Sequence, residues 1–538
     1  MKTRKIKIVL AVLMIAALVA SICVTAGAEP PYQSYLYNTK HEYIGSANAY
    51  SAARVISART IGVPEFDAIT DMKIYNGRIY ILDSGLQSGT GAGITILDKD
   101  YNLVRQIDTF TGVDGSPETL NMPEGIEIYH YLGSDNADKF DIAVCDTEHS
   151  RIVRMDEYGN FTHVYESPDL SLLDTDYEST IYRPAKVCFD STNRLYVAAK
   201  NINQGLICLD PDGSLNCFFG APEVTADPMT KLWRSILSVA GVETLVSYTP
   251  TEYSNIVADE KGFIYGSIAT PDVEAFREGT LSEIPGDPLR SEGANVVRLN
   301  AAGEDILKRL GFISNCGDLA VVEVTLGEGT WSEEATKTTA FTDVALGPNG
   351  MYSCLDRTYG RVFTYDEDGN LLFEFGNGGM MYDGTQMGTI RTTTALGYNG
   401  DDIVVADGWY DILTVFSPTD YGAKVLEACS LYYNGHYEES ETIWRDVLTR
   451  NSNMLYAYIG TGKALHRNGE YAEAMKCFKE VDSRTYYSKS LKLYMKESFG
   501  NLFTIFFLVI IALIVGTKIY SGVKKFRAFM RDGVKKVM

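Results

Sequence analysis

Six residues, Asp71, Glu124, Lys186, Asn255, Asp343 and Thr393, sit at corresponding points of a repeated pattern in this 538-residue chain, each where an inner strand begins. If the fold gathers these points around one axis, Asp71, Glu124, Asn255 and Asp343 offer a ring of side-chain oxygens. A hard divalent cation selects such a ring, because it takes six or more oxygen ligands. The plainer use of the same groups, bonding to water or to neighbouring strands, needs no ion. The residues alone therefore assign no catalytic group and no cofactor, and leave a divalent cation as a candidate at these four positions.

Other chemistries are poorly served. His41, His130, His149 and His163 all lie in the first part of the chain, whereas a zinc site of the kind found in ring-shaped lyases draws histidines from strands far apart in sequence. His149 beside Glu148 falls between strand-like runs, where a surface role is expected. The patterns G-x-S-x-G, H-E-x-x-H and G-x-x-x-x-G-K-[ST] are absent, so the common nucleophile, zinc-protease and phosphate-loop signatures are missing.

The elements that position the six residues repeat. The run Thr342-Asp-Val-Ala-Leu-Gly-Pro-Asn-Gly350 returns as Thr394-Ala-Leu-Gly-Tyr-Asn-Gly400, so A-L-G-x-N-G recurs after 50 residues. Looser copies begin at Thr70, Pro123, Ala185 and Asn255. Each reads as an alternating strand, a Gly or Asn turn, and a second strand ending near an Asp. A third strand and a hairpin follow in most copies, as in Arg151-Ile-Val-Arg-Met-Asp-Glu-Tyr-Gly159 and Arg361-Val-Phe-Thr-Tyr-Asp-Glu-Asp-Gly369. Glycine in those turns supplies the positive φ that a tight hairpin needs. Four strands per unit and six units predict a mainly β fold, a six-bladed β-propeller over residues 45–420. The early strand Ser51–Ser57 is expected to complete the last blade and leave no sheet edge open. Two insertions interrupt the period: Pro228–Val239 with helical apolar spacing, and an acidic loop over Glu274–Gly293.

In these runs the chain resembles the NHL-repeat propellers, most closely at Pro123-Glu-Gly-Ile126, Cys145-Asp146 and Ser150-Arg151-Ile152. The resemblance implies a binding ring. The gluconolactonase-like propellers are the enzymatic alternative within the same architecture.

After the strands the period changes from two to near 3.6. Gly435-His-Tyr437, Ser440, Trp444 and Val447 are echoed 34 residues later by Gly469-Glu-Tyr471, Ala474, Phe478 and Val481. That shift is the tetratricopeptide period, and residues 421–498 resemble a small α-helical tetratricopeptide-like domain. Two repeats leave an open face, which a capping helix over Ser483–Phe499 is expected to cover. The alternative is that these helices are only a stalk.

The two ends concern membranes. Lys2, Arg4, Lys5 and Lys7 precede the apolar run Ile8–Ala20 and the small residues Ala26-Gly27-Ala28. That order predicts a signal peptide over residues 1–28, with an uncleaved first membrane helix as the alternative. Cys23 is a poor lipid-anchor site because Ile22, not a small residue, precedes it. Leu502–Thr517 carries no charge, which predicts a transmembrane helix over 500–520. The basic tail 521–538 is assigned to the cytoplasm by the positive-inside rule, and residues 29–500 to the outside of a cell membrane crossed once. The ends take 11 of 48 basic residues and one of 70 acidic ones, leaving 37 against 69 and a net charge of −32 between them. So acidic a surface repels phosphate backbones and excludes nucleic acid as a partner. Eight of the nine cysteines lie in the exported part without a C-x-x-C pair, several inside apolar strand-like runs. They read as small buried hydrophobes and not as a disulfide frame.

Together these features predict a membrane-anchored bacterial surface protein that is not an enzyme. Its ring and helices would bind a protein, peptide or glycan, or a neighbouring membrane protein such as a transporter. A metal-dependent propeller hydrolase or lactonase, and a purely structural spacer, are the competing readings.

Overall fold

The computed structural model describes residues 30, 32–86, 91–133, 139–170, 181–200, 202, 205–220, 253–269, 288–291, 293–318, 339–379 and 386–537. The expected signal peptide, the helical insertion Pro228–Val239 and most of the Glu274–Gly293 loop lie outside the described residues; within that loop, Pro288–Ser291 forms a 3-10 turn.

Six antiparallel sheets form in sequence order, and each is a blade of a propeller. The innermost strands are Ile69–Tyr75, Gly125–His130, Arg183–Phe189, Tyr253–Ala258, Phe341–Leu346 and Thr393–Asn399. Each lies against the next and the sixth returns to the first, closing a ring. In blade 6 the outermost strand comes from the start of the chain. Tyr50–Ser57 pairs along Ile412–Pro418, for example Leu413 with Ile56 and Thr414 with Val55. The early strand thus closes the ring as its sequence predicts, joining the two ends of the sheet domain without a free inner edge.

Stacked blades bury both faces of their middle strands. Arg78–Asp83 is buried at every position after Arg78, whereas Leu103–Ile107 on the outer edge is largely exposed. Burial on two faces overrides the simple in–out alternation that a half-exposed sheet shows. Isoleucine, valine and tyrosine fill the spaces between blades, as with Tyr80, Ile94, Ile126 and Val144 between blades 1 and 2.

Two recurring aspartates explain the repeat. The one ending the second strand receives backbone N–H bonds from the loop entering its own blade. Asp83 accepts from Asp67 at 2.6 Å, Asp356 from Ala340 at 2.9 Å and Asp407 from Arg391 at 2.7 Å. The aspartate after the third strand gathers the hairpin amides: Asp156 accepts from Tyr158 at 2.8 Å and Asn160 at 2.9 Å, and Asp366 accepts from Asp368 at 3.0 Å and Asn370 at 2.8 Å. Gly159 and Gly369 follow with φ of +80° and +81°, the left-handed conformation that glycine adopts without penalty.

Blade 4 departs from the four-strand expectation, for it has three strands among the described residues. After Leu299 the chain turns back and makes a single antiparallel bridge, Leu299 with Asp305, whose carboxylate takes the Arg298 and Leu307 amides at 3.0 and 2.9 Å. The chain then crosses to blade 5, where the Leu310 amide donates to Asp368 O at 2.9 Å and the Gly317 amide to Tyr365 Oη at 2.9 Å.

A second compact unit begins at Leu426, within helix α1 (Asp420–Tyr433). It continues through α2 (Tyr437–Arg450), α3 (Tyr456–Arg467), α4 (Tyr471–Glu480) and α5 (Arg484–Val537). The glycines of the 34-residue echo do the same work, Gly435 and Gly469 turning the chain at φ of +84° and +86°. Trp444 and Phe478 are both 1% exposed and pack on glycines of α3: a Cβ added to Gly460 would stand 2.4 Å from the Trp444 ring, and one on Gly462 2.5 Å from Phe478. The cap and the expected membrane segment are one helix. Tyr486 of α5 stacks on Phe478 at 5.5 Å, and the same helix runs on through an unburied apolar stretch long enough to cross a membrane. At about 1.5 Å per residue its 54 residues extend about 80 Å.

Candidate functional site

The innermost strands carry a one-residue β-bulge near their start in blades 1, 3, 4, 5 and 6. Each residue after the bulge faces the next-to-last residue of the second strand, except in blade 3, where that strand runs one residue further. The equivalent positions are Asp71 opposite Leu82, Gly125 opposite Cys145, Lys186 opposite Ala198, Asn255 opposite Ser267, Asp343 opposite Leu355, and Ala395 opposite Ala406. Four of the six sequence-selected residues therefore share one level of the ring. Glu124 and Thr393 lie outside it, and Gly125 and Ala395 take their places. Counting back from the end of the second strand would have located both; in blade 6 the bulge hides the offset from a reading of the first strand alone.

The four polar side chains at this level engage one another. Lys186 Nζ lies 2.8 Å from Asp71 Oδ2 and also donates to Thr70 O at 3.3 Å. Asn255 Nδ2 donates to Asp343 Oδ1. Both aspartates tie their own blade to the next, since Asp71 Oδ2 accepts from the Ile126 amide at 3.0 Å and Asp343 Oδ2 from the Leu396 amide at 2.5 Å. Burial, then the like charge of Asp71, pushes the Asp343 carboxyl up to about 6, while the Lys186 ammonium opposes the shift. Away from this level, Glu124 pairs with Lys200 and Thr393 Oγ1 meets Thr342 Oγ1 at 2.9 Å.

This arrangement does not fit a ring of ligands for a divalent cation. The Asp71 oxygen that would face an ion already holds an ammonium and an amide. Asn255 turns its amide nitrogen, not its oxygen, toward Asp343, because its Oδ1 accepts from Ile256 at 2.8 Å. Glu124 stands outside the group. Among the described residues, no three His, Cys, Asp or Glu side chains gather in a ligand-like cluster. The geometry suits rivets between blades, with each charge met by an opposite charge or a hydrogen bond.

At the other end of the inner strands, blades 6 and 1 part into an open cleft of about 540 Å³. Its walls are the hairpin turns Asn76-Gly77, Lys99-Asp100 and Asn399-Gly400, with Tyr75, Tyr398 and Asp402 among the lining side chains. Tyr398 donates or accepts at 2.5 Å with Ser353 Oγ, and burial pushes its hydroxyl up to about 12, so it stays a neutral phenol. Asn399 Nδ2 is bound to Lys99 O at 2.9 Å and fixes one wall. Two aromatic rings, amides and charged groups thus line a cleft that stays open to solvent. The sequence reading passed over these residues because they are hairpin turns from opposite ends of the domain.

No family profile matches the chain, and no curated protein matches it. Among solved structures, virginiamycin B lyase from Staphylococcus aureus is similar at 9% identity and a TM-score of 0.35, covering 68% of this chain and 99% of its own. An auxiliary nutrient binding protein from Bacteroides thetaiotaomicron is similar at 9% identity and a TM-score of 0.39, over 72% and 76%. The major Malassezia sympodialis allergen Mala s 1 is similar at 11% identity and a TM-score of 0.34, over 68% and 97%.

Proposed function

We propose that the protein is a membrane-anchored, extracytoplasmic binding protein of a bacterial cell surface. Its NHL-like ring takes a protein, peptide or glycan, and its tetratricopeptide-like helices hold that ring near the bilayer or dock a neighbouring membrane protein such as a transporter. The observation that carries this reading is the division of labour along the inner strands. At one end the polar groups are consumed by one another, while at the other a cleft of about 540 Å³ presents Tyr75, Tyr398 and Asp402. Helix α5 supports the anchor, since it leads from the helical unit into an apolar stretch of membrane-spanning length.

The test is photo-crosslinking from position 76 of the full-length chain on intact cells, with the captured molecule identified by mass spectrometry. One dominant partner is expected, lost with Tyr398→Ala and Asp402→Ala. Capture that ignores both substitutions would remove the cleft from the function. If the purified protein instead held one tightly bound divalent ion, released by Asp343→Ala or Glu124→Ala, the metal-dependent hydrolase would replace this reading.

A further inference from the structure

One row of residues crosses blade 3 from the innermost strand to the outermost, pairing Cys188 with Tyr196, Tyr196 with Cys208, and Cys208 with Cys217. Residues directly opposed in an antiparallel ladder project from the same face, with Cα atoms about 4.5–5.5 Å apart. A disulfide spans Cα separations of about 4.4–6.8 Å, so Cys208 and Cys217 satisfy it without moving either strand. Cys188 stands two strands from Cys208, roughly 9 to 10 Å by the spacing of neighbouring strands, which is too far to compete. The ladder slips by one residue just beyond Cys208, and such a bulge gives the backbone local freedom to close the bond.

The side chains are arranged for the reaction. Cys208 stands directly opposite Cys217 on one side and Tyr196 on the other, so the three side chains share one face of the sheet. Cys208 is buried and Cys217 exposed, so a reagent from solvent meets Cys217 first. Burial, then the neighbouring Cys217, pushes the Cys208 thiol up to about 12 while the Arg194 guanidinium opposes the shift, so Cys208 reacts second, through the small thiolate fraction that attacks.

We propose that Cys208 and Cys217 form a cross-strand disulfide by exchange with a low-molecular-weight disulfide such as oxidised glutathione. The Cys217 thiolate attacks one sulfur of the reagent, whose S–S bond breaks and releases one glutathione thiolate. The Cys208 thiolate then attacks the Cys217 sulfur and expels the second. The protein loses two electrons, the reagent gains two, and the two thiol protons pass to the two glutathiones. The bond pins the strand Leu215–Phe219, the outermost of its sheet among the described residues, to the body of its blade. It also revises the reading of these cysteines as inert hydrophobes, since an oxidising compartment would keep the bond closed.

The test uses the full-length chain in detergent, incubated with oxidised glutathione, denatured, alkylated, digested and analysed by mass spectrometry. Peptides bearing Cys208 and Cys217 should appear joined and unalkylated, and should separate on reduction. In Cys208→Ser, Cys217 should stay trapped as a stable glutathione adduct. In Cys217→Ser, Cys208 should be recovered as a free thiol. Alkylation of both thiols in the wild type, or a persistent glutathione adduct on wild-type Cys217, would overturn the proposal.

Discussion

The ammonium of Lys186 on blade 3 reaches past blade 2 to the carboxylate of Asp71 on blade 1, 2.8 Å away. The equivalent position of blade 2 is Gly125, whose missing side chain leaves the path open. A Cβ there would stand 2.3 Å from Ala185 O and 3.1 Å from Lys186 Cα. Glycine on one strand thus lets charges on the strands either side of it meet.

Lys186→Met should be among the most destabilising single changes in the ring, because it leaves Asp71 buried and unpaired. Removing one partner of a buried pair costs about 3–5 kcal/mol. The double variant Asp71→Asn, Lys186→Met should recover much of that loss. Denaturant midpoints of the three variants measure the difference, and equal loss in single and double variants would refute the pairing.

Gly125→Ala brings a methyl group against backbone that cannot rotate away. Overpacking of this kind costs about 1–3 kcal/mol, and the strain should also loosen the Lys186 contact. Thermal unfolding should show a lowered midpoint, and an unchanged midpoint would mean that the inner strands of blades 2 and 3 lie farther apart.

Glu374 gives the fold a pH dependence with a definite sign. Burial pushes its carboxyl from 4.5 up to about 8, against the lowering effect of Arg361, with Asp318 and Asp356 adding to the rise. The folded state therefore holds a proton that the unfolded chain has released. The contribution is present below about 4.5 and is lost as pH rises through about 8. At 1.36 kcal/mol per unit, the loss is at most on the order of 5 kcal/mol. Relative to Glu374→Gln, the wild type should lose stability between pH 5 and 8, followed by urea unfolding across that range. A flat difference would contradict the buried proton. The N-terminal segment should loosen in parallel, since Ser34 Oγ donates to Glu374 O at 2.7 Å and Tyr37 Oη donates to Asp318 at 3.1 Å.

In the helical unit, Gly460→Ala should collide with the buried Trp444 ring and cost about 1–3 kcal/mol. Trp444→Ala should cost about 3–5 kcal/mol through the cavity it leaves. Combining Gly460→Ala with Trp444→Leu should restore part of the loss. Helical circular dichroism during thermal unfolding follows this unit separately from the strands.

The sequence by itself determined the features that a short window encodes. Alternating apolar residues, turn glycines and an aspartate ending the second strand in four of the units marked six blades. The 34-residue echo from Gly435 to Gly469 marked the helix pairs, and the charge-free run Leu502–Thr517 marked a helix able to cross a membrane. Tertiary structure alone decided which distant groups meet: Lys186 with Asp71, Asn255 with Asp343, Cys208 with Cys217, and the turns of blades 1 and 6 around one cleft. It also moved the equivalent positions from Glu124 and Thr393 to Gly125 and Ala395, and gave blade 4 three strands among the described residues. The reason is register. Local pattern shows which residues face a core, but a one-residue bulge or a strand that leaves its sheet changes which of them stand opposite, and that is set only when strands far apart in the chain align.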